Sequence, residues 1–180
     1  MKIKFSILIL GFLIFTSDHY SFSQTLEAEI PTGLKPYRSM LYTGLINEDK
    51  NILMVNLMNF DEPARHANYY IINLETLELM CNIHVKRWTY LMDAYFYQNK
   101  YLYISYGMGY FETKYWIFDI FSGLLVDKVK GKESPKGDDY RSGKLEFKNA
   151  TVKKNDGKII LENFIVSFEN TTSTIQIFSK

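Results

Sequence analysis

Cys81 and His84 are the pair whose side-chain types and spacing come closest to a metal or thiol site. A cysteine thiolate and a histidine imidazole both bind transition metals, and an imidazole can also activate a thiol. The two residues are three positions apart in a segment that reads as a strand, where successive side chains alternate between faces. The odd separation therefore predicts opposite faces, with a buried, inert thiol at Cys81 and an exposed or capped imidazole at His84.

Paired carboxylates occur at Asp61–Glu62 and Asp138–Asp139, in two loop-like segments. Calcium sites need several oxygen ligands at staggered positions and a glycine for the turn, and neither pair offers this arrangement. The sequence also lacks a Gly-x-Ser-x-Gly elbow, a His-Glu-x-x-His pair and a phosphate-binding loop. We therefore expect no catalytic residues, no metal ion and no cofactor.

The composition favours an all-β chain. It contains 14 Tyr and 13 Phe among 180 residues, and aromatic and β-branched side chains suit the half-buried surface of a sheet. No segment keeps an apolar pattern at helical spacing. Between Trp88 and Phe118 aromatics are densest, and alternation predicts one face with Tyr101 and Tyr103. Such rings can stack on sugars, but core and cross-strand packing is the interpretation we prefer.

A polar turn followed by a strand occurs three times, with matching positions at Asn51, Lys100 and Lys158. The spacings are 49 and 58 residues, and the turn residues Asn73 and Asp119, which match each other further along, are 46 apart. A repeat of roughly 40 to 50 residues with four strands is the period of a β-propeller blade. The turns at Asn73 and Asp119 are typical of tight hairpins that join the last two strands of a blade.

The chain resembles a run of WD40-like or quinoprotein-like propeller blades, although it has no Gly-His or Trp-Asp dipeptide. This resemblance implies an antiparallel meander with two to three four-stranded units. The strands are expected near residues 38–46, 51–59, 68–74 and 77–85, then 89–97, 100–107, 114–120 and 123–129, and in an incomplete third unit near 144–152, 158–168 and 174–179.

The number of units leaves the closure of the fold open, because a closed propeller typically has at least about four blades. The strands form a small β-barrel or β-sandwich, or blades assemble between chains, or Leu26–Ile30 adds a missing outer strand. In the blade arrangement, the loops after the second strands lie on the same rim as the connections between blades. That rim gathers a candidate ligand or partner site: Arg65, His66, Arg87, Trp88, Tyr110 and Phe111.

Residues 1–23 have the pattern of a secretory signal peptide. Lys2 and Lys4 precede an apolar run from Phe5 to Phe15, and the small residues Ser21 and Ser23 predict cleavage before Gln24. The expected mature part, residues 24–180, reads as a single all-β domain. The sole cysteine lies far from the cleavage point, so we expect a periplasmic or secreted protein without a lipid anchor.

The charge balance argues against two classes of partner. With a formal net charge of only +1, the chain lacks the excess of basic residues that is typical of nucleic-acid-binding proteins. We also expect no membrane insertion after signal cleavage. The sequence predicts a non-enzymatic exported binding or interaction protein with a protein or glycan partner and an oligomeric state left open. One alternative is a carbohydrate-active hydrolase or lyase, and another is a structural subunit of an exported assembly.

Overall fold

The structure is a computed structural model that describes residues 24–59, 66–85, 94–106, 114–130 and 153–180. These residues form thirteen β-strands and no helix, which confirms the predicted all-β class. Consistently, nothing in these ranges is a helix of the length and apolarity needed to cross a membrane.

Sheet 1 is a four-stranded antiparallel meander in the order β2-β3-β4-β5. Its strands are β2 Ser39–Ile46, β3 Ile52–Asn59, β4 His66–Asn73 and β5 Glu78–Val85. Seven consecutive residues of β3, from Ile52 to Met58, are buried. A strand is buried on both faces when layers cover both sides of its sheet, so this pattern places sheet 1 in the middle of the molecule.

Sheet 2 repeats the same meander in the order β6-β7-β8-β9. Its strands are β6 Ala94–Tyr97, β7 Tyr101–Tyr106, β8 Lys114–Asp119 and β9 Leu125–Lys130. Leu102 and Ile104 are fully buried, and Tyr101 and Tyr103 lie on the opposite face. The predicted alternation along β7 is therefore confirmed.

Sheet 3 is also an antiparallel meander, but a strand from the start of the chain extends it. Its strands are β10 Lys153–Asn155, β11 Lys158–Ile160, β12 Phe164–Glu169 and β13 Thr174–Ser179, with β1 Thr25–Pro31 paired to β13. Two predictions were wrong here. Residues 158–168 form two strands rather than one, since Ile160 pairs with Ile165, and the third unit is not incomplete, because it has four strands of its own.

The repeat predicted from the sequence is also present in the backbone. Lys50, Asn99 and Gly157, each next to the start of a second strand, have positive φ angles of 57°, 49° and 76°. Two more positive φ angles occur just before the fourth strands of sheets 1 and 2, at Leu77 (59°) and Gly123 (69°). Left-handed residues are rare outside glycine, so their recurrence at matching positions supports a true structural repeat.

The three sheets stack in the order 3-1-2. One core cluster joins sheet 1 to sheet 3, with Leu53 and Val55 packed near Ile159. A second cluster joins the other face of sheet 1 to sheet 2, with Met54 packed near Leu102. The strand order of each sheet is linear, so the described residues do not form a single closed barrel.

A buried hydrogen-bond chain ties sheet 3 to sheet 1. The hydroxyl of Tyr70 in β4 donates to the carbonyl oxygen of Thr32 at 2.8 Å. The hydroxyl of Thr32 in turn donates to the carbonyl oxygen of Ser173, in the β12–β13 turn, at 2.7 Å. Because all these groups are removed from water, the chain fixes how the first and third units sit against each other.

Candidate functional site

Of the six residues proposed from the sequence, the structure describes His66. Arg65, Arg87, Trp88, Tyr110 and Phe111 lie outside the described residues, so the grouping of all six stays a prediction. His66 is the first residue of β4 and pairs with Asn59, the last residue of β3. It therefore lies at the end of sheet 1 where β3 ends and β4 begins.

Polar side chains surround His66 on one face of sheet 1. Ser39 pairs with Asn59, Asn59 with His66, and Asn68 with His84. Directly opposed residues on neighbouring strands lie on the same face, and the next residues along this face are the apolar ones that pack on sheet 3. We call this group the histidine cluster: Ser39, Asn59, His66, Asn68 and His84.

The two imidazoles of the histidine cluster are held close together. His84 Nδ1 lies 2.8 Å from Asn68 Oδ1, and the ring centroids of His66 and His84 are 5.0 Å apart at an interplanar angle of 68°. With the amide oxygen of Asn68 turned toward His84, Nδ1 of His84 is the donor in this contact. The expectation of an exposed or capped imidazole at His84 is confirmed, since His84 is exposed and bound to Asn68.

Two buried polar atoms of the cluster have no hydrogen-bond partner. They are Nδ2 of Asn68 and Oγ of Ser39, on residues that are only 2% and 3% exposed. Exchanging the amide atoms of Asn68 would leave its oxygen without a partner instead. A buried polar group without a partner costs about 1–3 kcal/mol, so these atoms mark the place where a bound group would gain most.

The cluster offers hydrogen-bonding groups, which are amides, imidazoles and one hydroxyl. Oγ of Ser39 has no hydrogen-bond partner, so neither histidine is placed to take its proton, as an activated nucleophile requires. None of the five side chains is a carboxylate. Within the described ranges, no group of three or more His, Cys, Asp or Glu side chains is arranged to hold a metal ion.

Cys81 lies on the other face of sheet 1 from His84, as the odd spacing predicted. It pairs with Ile71, and its thiol donates to the carbonyl oxygen of Ile120, which directly follows β8, at 3.1 Å. Burial, together with the charge of Asp119, raises the pKa of Cys81 to about 11 against a lowering effect of the Gly123 backbone. The side chain is half-buried and packs against the core between sheets 1 and 2, so the burial predicted for Cys81 is partial.

The aromatic segment forms a second surface, on the face of sheet 2 that points away from sheet 1. Tyr103 makes edge contacts with Tyr97 and Tyr115, at centroid distances of 5.6 and 6.4 Å. We call this surface the tyrosine face: Tyr95, Tyr97, Tyr101, Tyr103, Tyr115 and Ile117. Tyr103 and Tyr115 are buried, while Tyr95, Tyr97 and Tyr101 are partly buried, so packing accounts for these rings as the sequence predicted.

Sequence reasoning missed Ser39, Asn59 and Asn68. No motif marks them, because they come together only through the pairing of β2, β3 and β4. Asn68 and His84 are 16 residues apart and meet only because of the register of one hairpin.

Comparison with known proteins adds no relative: no family model, curated protein or solved structure matches this chain significantly. The geometry of the site must therefore carry any functional conclusion by itself.

Proposed function

We propose that this protein is an exported, non-catalytic binding protein that holds a partner at the histidine cluster. The observation that carries the proposal is Asn68, which is almost fully buried, bonded through one amide atom to His84, and without a partner on the other. Buried polar groups in proteins are nearly always satisfied. A hydrogen-bonding ligand group that reaches Asn68 would remove this deficit.

The chemistry of the cluster points to a neutral, hydrogen-bonding ligand. It offers amides, imidazoles and one hydroxyl, and it has no carboxylate, lysine or arginine of its own. Such groups match the hydroxyls of a glycan or the backbone of a peptide. The partner we propose is therefore a glycan or a protein segment, met in the periplasm or outside the cell, to which residues 1–23 would direct the chain.

The stacked four-stranded sheets serve as the scaffold, and we propose that they are blades of a propeller-like fold. In such folds loops at one end of rigid sheets are the usual place for binding groups. The short turns with positive φ angles lie at the other end of sheet 1 from His66. The end with the histidine cluster is therefore the one that has longer connections to carry additional ligand contacts.

A carbohydrate-active hydrolase is the less favoured alternative. Glycosidases commonly need two carboxyl groups about 5–10 Å apart across a cleft. The histidine cluster does not contain such a pair.

Binding at the histidine cluster is tested by nuclear magnetic resonance with a panel of neutral oligosaccharides and short peptides. We expect at least one compound to shift the side-chain amide signal of Asn68 and the imidazole signals of His84. The variant Asn68→Ala should weaken that compound at least tenfold, because it removes both the unpaired donor and the support of His84. Gln98→Ala, an exposed amide at the opposite end, is the matched control and should bind normally.

Two results would contradict the proposal. One is a compound that binds with equal affinity to the wild type and to Asn68→Ala. The other is chemical conversion of any panel member by the wild type that Asn68→Ala abolishes, because a purely binding site leaves its ligand unchanged.

A further inference from the structure

Apolar side chains are exposed at the tip of the β8–β9 hairpin and at the start of the strand that follows it. Phe121 and Leu124, in the turn, are 61% and 68% exposed, and Leu125 and Val126, the first residues of β9, are 42% and 55% exposed. Together they offer an apolar area on the order of 400 Å², a size at which patches on single chains are often functional. We call this surface the hairpin patch: Phe121, Leu124, Leu125 and Val126.

The hairpins between the third and fourth strands have the same turn in all three sheets. Leu77, Gly123 and Ser173 have positive φ angles of 59°, 69° and 55°. Each directly precedes the residue that faces the last residue of the third strand. The residues of the three turns can therefore be compared place by place.

This comparison shows that the turn does not require apolar residues. In the other two hairpins, polar side chains take the places of Phe121 and Leu124. A turn of the same shape is thus built with side chains that water solvates well, so the turn itself does not explain the apolar pair of sheet 2. The four polar residues are Glu75 and Glu78 in sheet 1 and Thr171 and Thr174 in sheet 3.

The hairpin patch rests on a firmly held turn. The N–H group of Gly123 donates to the carbonyl oxygen of Asp119 at 2.8 Å, and the carbonyl oxygen of Ile120 accepts from the thiol of Cys81. Gly123 also lies so close to β5 that a Cβ atom on it would be 3.3 Å from the Cβ atom of Cys81. Because the turn is anchored in this way, the hairpin patch loses little conformational freedom when a partner covers it.

Strand β9 is an edge of sheet 2. Among the described residues no strand pairs with its outer side, and the residues from Leu125 to Lys128 are exposed. The N–H group of Lys128 donates to Oδ1 of Asp127 at 2.7 Å, a side chain of its own strand. An exposed apolar edge strand is a template on which a further strand can pair.

Sheet 3 shows what covers such an edge. Its fourth strand, β13, carries β1 on its outer side as a fifth, antiparallel strand. Ile175 lies two residues after Ser173, as Leu125 lies two residues after Gly123. Ile175 pairs with Ile30 of β1 and is fully buried, whereas Leu125 is exposed. The fold therefore accepts an extended segment beside a fourth strand.

The size of the hairpin patch favours an extended segment over a second folded copy. A stable interface between two folded proteins buries about 800 Å² on each partner, and the hairpin patch supplies roughly half of that area. An added strand needs less apolar area, because main-chain hydrogen bonds provide much of its affinity.

We propose that β9 binds an extended segment of a partner protein as an antiparallel fifth strand of sheet 2. Every second side chain of a strand lies on the same face, so the segment has apolar residues at alternate positions, one of which covers Leu125. None of the residues of the hairpin patch belongs to the histidine cluster, so this binding does not rest on the function proposed above.

Nuclear magnetic resonance with a panel of peptides tests the proposal. The peptides have seven residues, the length of β1, with Val, Leu or Ile at every second position and uncharged polar residues between them. We expect at least one peptide to shift the backbone amide signals of Leu125 to Lys128 and to slow hydrogen exchange there. The same peptide with a central proline lacks an N–H group needed for pairing and should bind at least tenfold more weakly.

The double variant Phe121→Glu, Leu124→Glu gives the hairpin of sheet 2 the residues that sheet 1 has at the same places. Both side chains are exposed, so the melting temperature should stay near that of the wild type while the affinity for the peptide falls at least tenfold. Met40→Glu changes an exposed apolar residue of β2. It is the matched control and should bind the peptide as the wild type does.

Four results would overturn the proposal. No peptide of the panel changes the signals of β9, or a peptide binds equally well to the wild type and to the double variant. Light scattering finds a wild-type dimer that the double variant loses, which would assign the hairpin patch to a second copy. Or vesicles of phosphatidylcholine and phosphatidylglycerol bind the wild type and not the double variant, which would assign it to a membrane surface.

Discussion

Asn73 and Asp119 hold the same turn in two different sheets. Oδ1 of Asn73 accepts hydrogen bonds from the backbone N–H groups of Glu75 and Thr76 at 2.8 and 3.3 Å. Oδ1 of Asp119 accepts from those of Phe121 and Ser122 at 3.0 and 2.9 Å. A side-chain oxygen that binds the backbone two and three residues later stabilises a tight turn. The repeat therefore preserves a physical role while its residue changes from amide to carboxylate.

The change Asp119→Asn should make the second hairpin resemble the first. Hydrogen bonds from Ser122, with a smaller contribution from Phe121, lower the pKa of Asp119. A lowered pKa contributes stability above the unfolded-state value of about 3.9 that is lost as the pH falls through the folded-state value. Asp119→Asn keeps the acceptor oxygen, so we expect near wild-type thermal stability at pH 7 and a smaller loss in acid.

Asp119→Ala is the control for that comparison. It removes the acceptor as well as the charge, so it should lower the stability by about 1 kcal/mol at neutral pH. Melting temperatures at neutral and acid pH distinguish the cases. Equal losses for the Asn and Ala variants at pH 7 would show that the turn does not depend on the side-chain oxygen.

Replacing Asn47 should lower the free energy of unfolding more than replacing most other polar residues. It is fully buried, and its Oδ1 accepts from the N–H groups of Asn51 and Ile52 at 3.0 and 2.8 Å. Its Nδ2 donates to the side-chain oxygens of Asn51 and Asn99 at 2.8 and 2.9 Å. Because Asn47→Ala strands a buried N–H, we expect a loss of about 2–4 kcal/mol in urea denaturation.

Asn99→Ala separates the two functions of Asn47. This variant removes the side-chain hydrogen bonds of Asn99 to Asn47 and Asp49 but leaves the turn of Asn47 intact. It should therefore lower the free energy of unfolding clearly less than Asn47→Ala. Equal losses in the free energy of unfolding for the two variants would contradict this. The stability provided by Asn47 would then come from its contact with Asn99 and not from its hydrogen bonds to the backbone of its own turn.

The sequence predicted those features of the fold that depend on residues close together in the chain. Alternation placed Tyr101 opposite to Leu102. The polar turn predicted before Lys158 is also present, with Asp156 and Gly157 at positive φ angles of 46° and 76°. The split between β11 and β12 was missed because the turn at Leu161–Asn163 has no glycine or proline. Without those residues, the two short strands read as one continuous strand.

The candidate site was harder to predict, because it depends on an irregularity in strand pairing. The register of β4 and β5 shifts between Ile71 and Ile72. Without this bulge, Asn68 would face Ile83 instead of His84, since a slip of one residue moves every side chain to the other face. A second shift between Ile117 and Phe118 occupies the matching place in sheet 2, but neither is marked by a glycine.

Gly44 should tolerate no side chain while sheet 3 is docked on sheet 1. A Cβ atom at this position would overlap the Cδ1 methyl of Ile159 and lie 3.0 Å from its Cγ1. Since Ile159 is buried, it has little room to move. We expect Gly44→Ala to lower the free energy of unfolding by about 1–3 kcal/mol.

Ile159→Val gives the matched partner for a double-mutant cycle. It removes the Cδ1 methyl, so Gly44→Ala should cost clearly less in the Ile159→Val background than in the wild type. Urea denaturation of the four proteins measures the coupling. If the two substitutions lower the free energy of unfolding strictly additively, Gly44 and Ile159 are not in contact. The docking of sheet 3 on sheet 1 would then have to be revised.

Cys81 should be unreactive at neutral pH and should make the protein sensitive to alkali. Its pKa is raised, mainly by burial, from 9.0 to about 11. A group whose folded-state pKa is raised gives stability that is complete below the unfolded-state value and lost as the pH rises through the folded-state value. We therefore expect slow labelling of the native thiol at pH 8 and a loss of stability between pH 9 and 11.

Cys81→Ala should remove the loss of stability between pH 9 and 11. At neutral pH it should lower the free energy of unfolding by no more than about 1–2 kcal/mol. Tyr70→Phe is the matched comparison, since burial raises the pKa of Tyr70 from 10.0 to about 12 and its effect should begin about one pH unit higher. Urea midpoints measured across this range separate the two groups. Rapid labelling of native Cys81 at pH 8, or an unchanged alkaline loss in Cys81→Ala, would mean that the thiol is not held against Ile120 and that the contact between sheets 1 and 2 opens there.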